Sequence, residues 1–329
     1  MLERLKRAIR VLRPRQPLGE PTAEGFATRG RRWDPSSIAA PWFERPDARS
    51  RAGEVARRHG LGEEGETWLR KWVDDGYFVV DGAVDAAAMA RYAEDFERVW
   101  WMDRPIRGLT VSDVWFDGVR HIHMAHEQLL AYSLEQRREA FRTSSWRVGE
   151  FYQSSKAADA IYNDARLARI CSAILDARAR PHFSLSFSKG SEQPLHQDTC
   201  VFHTWPRNAL VGVWIAAEDI SADSGPLEFY PGSHREPLFP AFTNYPQTQR
   251  RTAPAQLAAE YDEYVRRLAG KYSKEVYLAK AGGALFWHGM LIHGGAPVAD
   301  PSTTRKSMVI HFLPRGANRG HQIEGPFNW

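Results

Sequence analysis

The sequence predicts a mainly β fold, a sandwich or jelly-roll barrel with flanking helices. Three observations carry that expectation. From Arg180 onward, short apolar and β-branched runs recur between Gly, Pro, Ser and Asn: His182–Phe187, Ala209–Ile215, Leu227–Tyr230, Glu275–Leu278, Ala284–Trp287 and Ser307–Leu313. Only one helical segment, about Pro254–Leu268, interrupts them, a pattern that suits a sandwich or jelly roll. The half of the chain before Arg180 carries helix-period segments instead, which supply the flanking layer. With 329 residues, 43% of them hydrophobic and 26% charged, the chain is long enough to bury a full core without disulfides.

Taken in order, the chain opens with a basic tail. Leu2, Leu5, Ile9 and Leu12 recur at helical spacing with Arg4, Arg7 and Arg10 on the other side, and Pro14 ends the pattern. No uninterrupted apolar stretch follows the charges, so the segment does not read as a secretory signal. Two readings stay open for residues 1–13: a helix in weak contact with an anionic membrane surface, and a plain basic terminus that is frayed or packed on the body. Residues 17–60, rich in Pro, Gly, Arg and Ala, read as an extended arm. The chain therefore divides into a tail and arm over residues 1–60 and a folded domain over residues 61–329, with its jelly-roll core at about 180–315. Within that domain a helix is expected from about Glu64 to Asp75 and a short buried strand over residues 76–80. Further helices are expected over residues 86–100, about 126–143, and from Asp164 to about Asp176.

Charge and cysteine content narrow the function classes. Residues 1–32 hold nine basic residues against three acidic, a net of +6, while the whole chain is +4, so the remainder is −2. The basic character belongs to the tail, and the folded body is not a nucleic-acid-binding surface by bulk charge. No run of about 18 apolar residues exists to form a transmembrane helix. The only cysteines are Cys171 and Cys200, which excludes a disulfide scaffold and a Cys-only zinc site; a reduced, cytoplasmic location is expected.

The residues that carry chemistry lie in the β-rich half. In Leu195-His196-Gln197-Asp198, residues two apart on an extended segment point the same way, so His196 and Asp198 can present an imidazole and a carboxylate to one point. Far downstream, Leu291-Ile292-His293-Gly294-Gly295 offers a second imidazole. Two His and one carboxylate on one face of a metal leave open positions, a donor set that suits non-haem Fe(II) and O2. Arg305 follows twelve residues later, at the start of the expected strand Arg305–Phe312, where its guanidinium could pair with a carboxylate inside the barrel. A barrel-lining Arg implies an anionic ligand or a partner acid, because buried charge is costly unless paired. 2-Oxoglutarate answers both needs, with its keto acid end on iron and its distal carboxylate on Arg305.

His196-Gln197-Asp198, Trp214 in Gly212-Val213-Trp214-Ile215, the run Ser224-Gly225-Pro226-Leu227-Glu228-Phe229-Tyr230-Pro231-Gly232-Ser233-His234, and Leu291-Ile292-His293-Gly294 followed by Arg305-Lys306-Ser307 resemble the phytanoyl-CoA dioxygenase family over about residues 70–315. That resemblance implies a double-stranded β-helix (a cupin-like jelly roll) and a hydroxylase that uses Fe(II), 2-oxoglutarate and O2 on a small-molecule or conjugated substrate. Carried over residue by residue, it implies that His196, Asp198 and His293 bind iron and are catalytic. It further implies that Arg305 binds the distal carboxylate of 2-oxoglutarate, with Trp214, Lys156 and Leu185 as further co-substrate contacts. Family members that halogenate have a small residue where Asp198 stands, so the resemblance favours hydroxylation; desaturation and ring closure use the same triad. Two departures stand out. Gly295 replaces the Ser often found two residues after the distal His, and the spacing from His293 to Arg305 is one residue longer, which the loop Asp300-Pro301-Ser302-Thr303 can absorb.

Two other classes remain in view: a different metal-dependent cupin-like enzyme with no need for Arg305, and a non-catalytic jelly-roll binding protein. His203, His234, His288 and His311 read as hydrogen-bonded structural residues, and Cys200 as a small hydrophobe. Trp100, Trp101, Trp115, Trp205, Arg207 and Arg235 are candidates to line a substrate pocket.

Overall fold

The computed structural model describes residues 41–202, 208–242, 250 and 253–315. The chain divides into a unit of Met1–Ala39, outside the described residues, and a unit of Ala40–Trp329, to which every element below belongs. The amphipathic pattern over residues 1–13, as well as His203, Trp205 and Arg207, also lies outside the described residues.

The N-terminal half is largely helical. Helices α1 (Ala48–Arg58) and α2 (Gly62–Asp75) lead into strand β1 (Tyr77–Val80), and α3 (Ala86–Arg98) follows. A hairpin of β2 (Thr110–Phe116) and β3 (Val119–Ala125) comes next, then α4 (His126–Ala131), α5 (Leu134–Thr143), β4 (Arg147–Gly149), α6 (Lys156–Tyr162) and α7 (Ala165–Leu175). The β-rich half comprises β5 (Ala179–Phe187), β6 (Val211–Ala216), β7 (Leu227–Phe229), α8 (Ala255–Ala269), β8 (Glu275–Tyr277), β9 (Ala284–His288), β10 (His293–Gly295) and β11 (Ser307–Pro314). Local chemistry sets the helix ends. Gly76 stops α2 with a left-handed φ of 79°, and the carboxylates of Asp85 and Asp164 accept the Ala88 and Leu167 N–H groups, each at 2.9 Å, to cap α3 and α7.

Eight strands form one antiparallel sheet in the order β1-β9-β6-β11-β5-β4-β2-β3, and three form a second in the order β10-β7-β8. The central strands are buried on both faces, which is why they read as unbroken apolar runs. Val211, Val213 and Ile215 of β6, Ala284 and Phe286 of β9, and Met308, Ile310 and Phe312 of β11 join the helices in one core. The alternate residues Trp214, Leu285 and Trp287, with Phe229 of the smaller sheet, form a second cluster between the sheets. Phe183, Leu185 and Phe187 of β5 form a third with Val201 and Leu210. The mainly β jelly roll with flanking helices is thus as expected.

The structure departs from the sequence reading in four places. Residues 48–58, read as part of an extended arm, form α1, whose Ala52, Val55 and Ala56 are fully buried. The helix expected over 126–143 is two helices, because Tyr132 is extended and Ser133 starts a new cap by accepting the Gln136 N–H at 3.2 Å. The β2–β3 hairpin and the short strands β4 and β10 were not anticipated. Arg305 stands two residues before β11 rather than on it.

Candidate metal centre

The backbone brings the two imidazoles together. His196 and His293 form an isolated antiparallel bridge in which each N–H donates to the other's carbonyl, at 2.9 and 3.1 Å. Their rings lie 4.4 Å apart between centroids. His196 Nδ1 sits 2.8 Å from the Pro194 carbonyl and His293 Nδ1 sits 3.0 Å from the Leu291 carbonyl. A carbonyl only accepts, so each Nδ1 carries the proton and each Nε2 keeps its lone pair for a ligand. Burial, with His196 alongside, pushes the His293 pKa down to about 4, which keeps it a neutral donor.

Asp198 completes the set. It opens the one-turn 3-10 segment Asp198–Cys200, and its carbonyl accepts the N–H groups of Val201 and Phe202 at 2.9 and 2.8 Å. Its Oδ1 lies 3.5 Å from His196 Nε2 and 3.7 Å from His293 Nε2. One donor atom from each of the three residues falls within 4.8 Å of the other two, the one such grouping among the described residues. Oδ2 is turned away and accepts two hydrogen bonds, from the Trp287 indole N–H at 2.8 Å and from His311 Nε2 at 3.0 Å. Burial alone would raise the Asp198 pKa. The neighbouring His293 and His311, together with hydrogen bonds from His196 and His311, outweigh it and hold the carboxyl well below the usual range. Two imidazole nitrogens and one carboxylate oxygen on one side fit a divalent iron and leave its other side open. Of these ligands His196 is the more exposed, its side chain 15% exposed against 3% for Asp198.

Arg305 lies in the same pocket, only 2% exposed. Its backbone N–H donates to Ser188, and its guanidinium donates to the Gly225 carbonyl at 3.0 Å. It sits 5.9 Å from the Trp214 ring and 6.0 Å from that of Phe187. Its Nε is buried without a partner, and among the described residues no carboxylate pairs with it. Burial lowers its pKa to about 10. An unpaired buried guanidinium beside three metal-ligand donors is the environment that the distal carboxylate of a keto diacid requires.

The structure therefore brings six of the seven sequence-derived site residues into one pocket: His196, Asp198, His293, Arg305, Trp214 and Leu185. It does not bring Lys156 there. Lys156 is the exposed first residue of α6, where the preceding Ser155 caps the helix and also donates to Asp95, and it is not among the residues that line the pocket. Gly295 also has a physical reason. A Cβ there would come within 2.8 Å of the Glu192 nitrogen and 3.1 Å of the Gln193 nitrogen, so this backbone leaves no room for Ser. The added residue between His293 and Arg305 sits in a tight turn, with Asp300 accepting from the Ser302 N–H and hydroxyl.

Sequence reasoning missed the partners of Asp198. The signal was present: His311 is a polar residue at an inward position of an apolar strand, and Trp287 alternates inward on β9. His234 and His288 lie away from the triad, as structural histidines. Of the proposed pocket-lining residues, Trp115 lines a cleft next to His196, Trp100 is fully buried in the helical core, and Arg235 lines a separate cavity. Cys200 and Cys171 are both buried, and neither is in a disulfide.

Comparison with known proteins agrees with this geometry. The sequence profile of the phytanoyl-CoA dioxygenase family matches residues 72–307. The chain is 33% identical over 129 residues to the peroxisomal phytanoyl-CoA dioxygenase of Bos taurus, covering 39% of this chain and 35% of that protein. It is 26% identical over 167 residues to a phytanoyl-CoA dioxygenase domain-containing protein 1 homolog of Dictyostelium discoideum, covering 50% and 53%. The chain thus spans about a third to a half of the length of these curated relatives. Among solved structures, the fold is similar to the epimerase SnoN in complex with Fe3+, alpha ketoglutarate and nogalamycin RO (TM-score 0.54, 17% identity, 80% of this chain and 93% of that one). It is also similar to EctD from S. alaskensis with 2-oxoglutarate and 5-hydroxyectoine (TM-score 0.53, 17% identity, 83% and 79%).

Proposed function

Because the chain belongs to the phytanoyl-CoA dioxygenase family, we propose that it is an Fe(II)- and 2-oxoglutarate-dependent dioxygenase that hydroxylates an unactivated C–H bond of a small-molecule substrate. The observation that carries this reading is the convergence, in one pocket, of two Nε2 atoms and one carboxylate oxygen with a buried guanidinium that lacks a counter-charge. Bound iron supplies the oxidation, in which O2 converts 2-oxoglutarate to succinate and CO2 and delivers one oxygen atom to the substrate C–H.

The chain's own residues bind, orient and exclude water. His196, Asp198 and His293 would hold the metal on one side, the two His tautomers being set by the Pro194 and Leu291 carbonyls. Arg305 would take the distal carboxylate of the co-substrate, forming a charge-assisted pair in a site where water competes poorly. Trp214, Leu185 and Phe187 line the space between and keep it dry. A carboxylate at position 198 fills the place a halide would need, which supports hydroxyl transfer.

Anaerobic titration with Fe(II) and 2-oxoglutarate tests the reading through the visible charge-transfer band of the complex. Ala at His196, Asp198 or His293 is expected to abolish the band in protein that remains folded by circular dichroism. A band that survives any of these substitutions overturns the assignment of that residue.

Among the described residues no helix is long and apolar enough to cross a membrane. The two buried cysteines, neither in a disulfide, suit a reducing compartment, and we propose a cytoplasmic location. Weak contact of residues 1–13 with an anionic membrane surface is proposed on the basic amphipathic pattern alone. Salt-sensitive co-sedimentation with anionic vesicles tests it, and full-length protein that ignores such vesicles at low salt overturns it.

A further inference from the structure

We propose that the cleft beside His196 selects a small substrate by an anionic group, a carboxylate or a phosphate, held at a cluster of Arg147, Asp113 and Arg120. The proposal rests on the dioxygenase reading above, because it assigns the substrate side of that same centre. The cleft encloses about 530 Å³, within the range of metabolite-sized sites, and shares Ser191, Gln193 and His196 with the pocket that contains the triad. A ligand in it therefore lies next to His196.

The cluster is built at a cost. Asp113 sits in the middle of β2 with a φ of 58°, a left-handed backbone that is strained for a non-glycine residue. The pairing of Ser112 with His123 and of Val114 with His121 keeps one register, and Asp113 alone is missing from the ladder between them. Its carboxylate lies between two guanidiniums. Oδ2 lies 2.7 Å from Arg147 Nη2, and Oδ1 accepts from Arg120 Nη2 and Nε at 2.6 and 3.2 Å. Arg147 comes from β4, and its side chain is only 7% exposed.

One carboxylate shared by two guanidiniums leaves the cluster at +1. Of the other charged residues that line the cleft, Arg250 and Glu192, only Glu192 opposes it. Arg250 is held by both carboxylate oxygens of Asp262, at 2.7 and 3.0 Å, and is neutralised there. Glu192 turns its Oε1 to the Val298 N–H at 3.1 Å. Arg147 has one ion pair among the described residues, and none of its nitrogens is sealed from solvent without a partner, so its remaining N–H groups are open to the cleft that it lines. A buried, half-compensated guanidinium gains most from a second anion, and a fork of N–H donors matches carboxylate and phosphate geometry. Exposed Trp115 adds an apolar wall to the same cleft. An anion seated here would fix one end of the substrate and present a neighbouring carbon to the open side of the metal.

The test is calorimetric titration of two probes, acetate and inorganic phosphate, into anaerobic protein loaded with Fe(II) and 2-oxoglutarate, so that Arg305 is already occupied. Saturable binding of one or both in roughly the millimolar range is expected, the arm that binds naming the group. Arg120→Ala is expected to weaken it about tenfold and Arg120→Lys less, while Lys280→Ala, a change on the exposed surface, leaves it unaltered. Absence of saturable binding of both probes, or equal binding by wild type and Arg120→Ala, overturns the inference. Protein that forms no Fe(II)·2-oxoglutarate band fails the parent reading instead, so the two failures are distinct. A turnover screen of matched pairs, each acid with its methyl ester and each phosphate monoester with its alcohol, supplies a second readout. The anionic member is expected to have the lower KM, with Arg120→Ala raising that KM more than it lowers kcat. Equal turnover of neutral and anionic members overturns the inference.

Discussion

Trp287 donates its indole N–H to Oδ2 of Asp198 across 2.8 Å, while the other carboxylate oxygen faces the two imidazoles. His311 reaches the same Oδ2 from β11. With Oδ2 committed to two donors, the carboxylate offers a metal a single oxygen. Trp287→Phe and His311→Phe are each expected to reduce metal affinity by about 10- to 100-fold, the usual effect of losing a partner behind a ligand. Metal titration followed by the visible band checks this; affinity equal to wild type in both variants refutes it.

Gly212 faces Trp287 across the β6–β9 ladder, and a Cβ there would run into the indole ring. Gly212→Ala is therefore expected to displace Trp287, destabilise the protein by about 1–3 kcal/mol and lower metal affinity together. Urea unfolding and metal titration of one preparation decide; lost stability with unchanged affinity means that the indole does not position Asp198.

Arg305→Leu is expected to weaken 2-oxoglutarate binding by about two to three orders of magnitude, the worth of a charge-assisted pair in a dry site. Without co-substrate the variant is expected to melt no lower than wild type, because replacing an uncompensated buried charge with an apolar side chain is often neutral or stabilising. An unchanged 2-oxoglutarate constant moves the anchor elsewhere.

Acid is expected to destabilise the fold between about pH 6.5 and 4. Burial, with Arg235 adding to it, pushes the His234 pKa down to about 4, and burial with His234 nearby pushes His288 well below its ordinary value. Both histidines stay neutral when folded and gain a proton near pH 6.5 when unfolded. The unfolded chain thus binds more protons in that window, and stability falls as pH falls through it. His234 alone accounts for roughly 3 kcal/mol by pH 4. Urea midpoints at pH 7 and pH 4.5 check this, and His234→Gln is expected to flatten the slope; a wild-type midpoint that does not drop is the contrary result.

The sequence made the central strands legible because β6, β9 and β11 are buried on both faces and read as apolar runs. It hid the β2–β3 hairpin, where Val119 and Ile122 are exposed and Asp113, at a left-handed φ, drops out of the ladder. It hid α1 because that helix buries alanines and Val55 around a glycine, a weak apolar stripe. β10 is His-Gly-Gly, with no strand propensity of its own, and exists because it pairs with β7. The metal-ligating residues and Arg305 were legible as motifs in order. Lys156 was misplaced because a motif match on a helix start says nothing about which way the side chain leaves the helix. The Asp198 partners went unread because they come from two other strands, and only the assembled barrel aligns them.

The reciprocal backbone bridge between His196 and His293 has a consequence for the lifetime of the molecule. These residues lie on segments far apart in the chain, so their donor atoms meet only after a long loop has closed, and closing it costs entropy that local contacts do not repay. A chain that has not yet closed the loop offers a metal isolated histidines and no trio. The ion therefore acts on the finished protein: at a free concentration a hundredfold above its dissociation constant it adds about 2.7 kcal/mol to the native state. That energy belongs to the folded state, and metal is expected to slow unfolding more than it hastens folding. Iron supply would then govern how long each copy persists as well as whether it turns over.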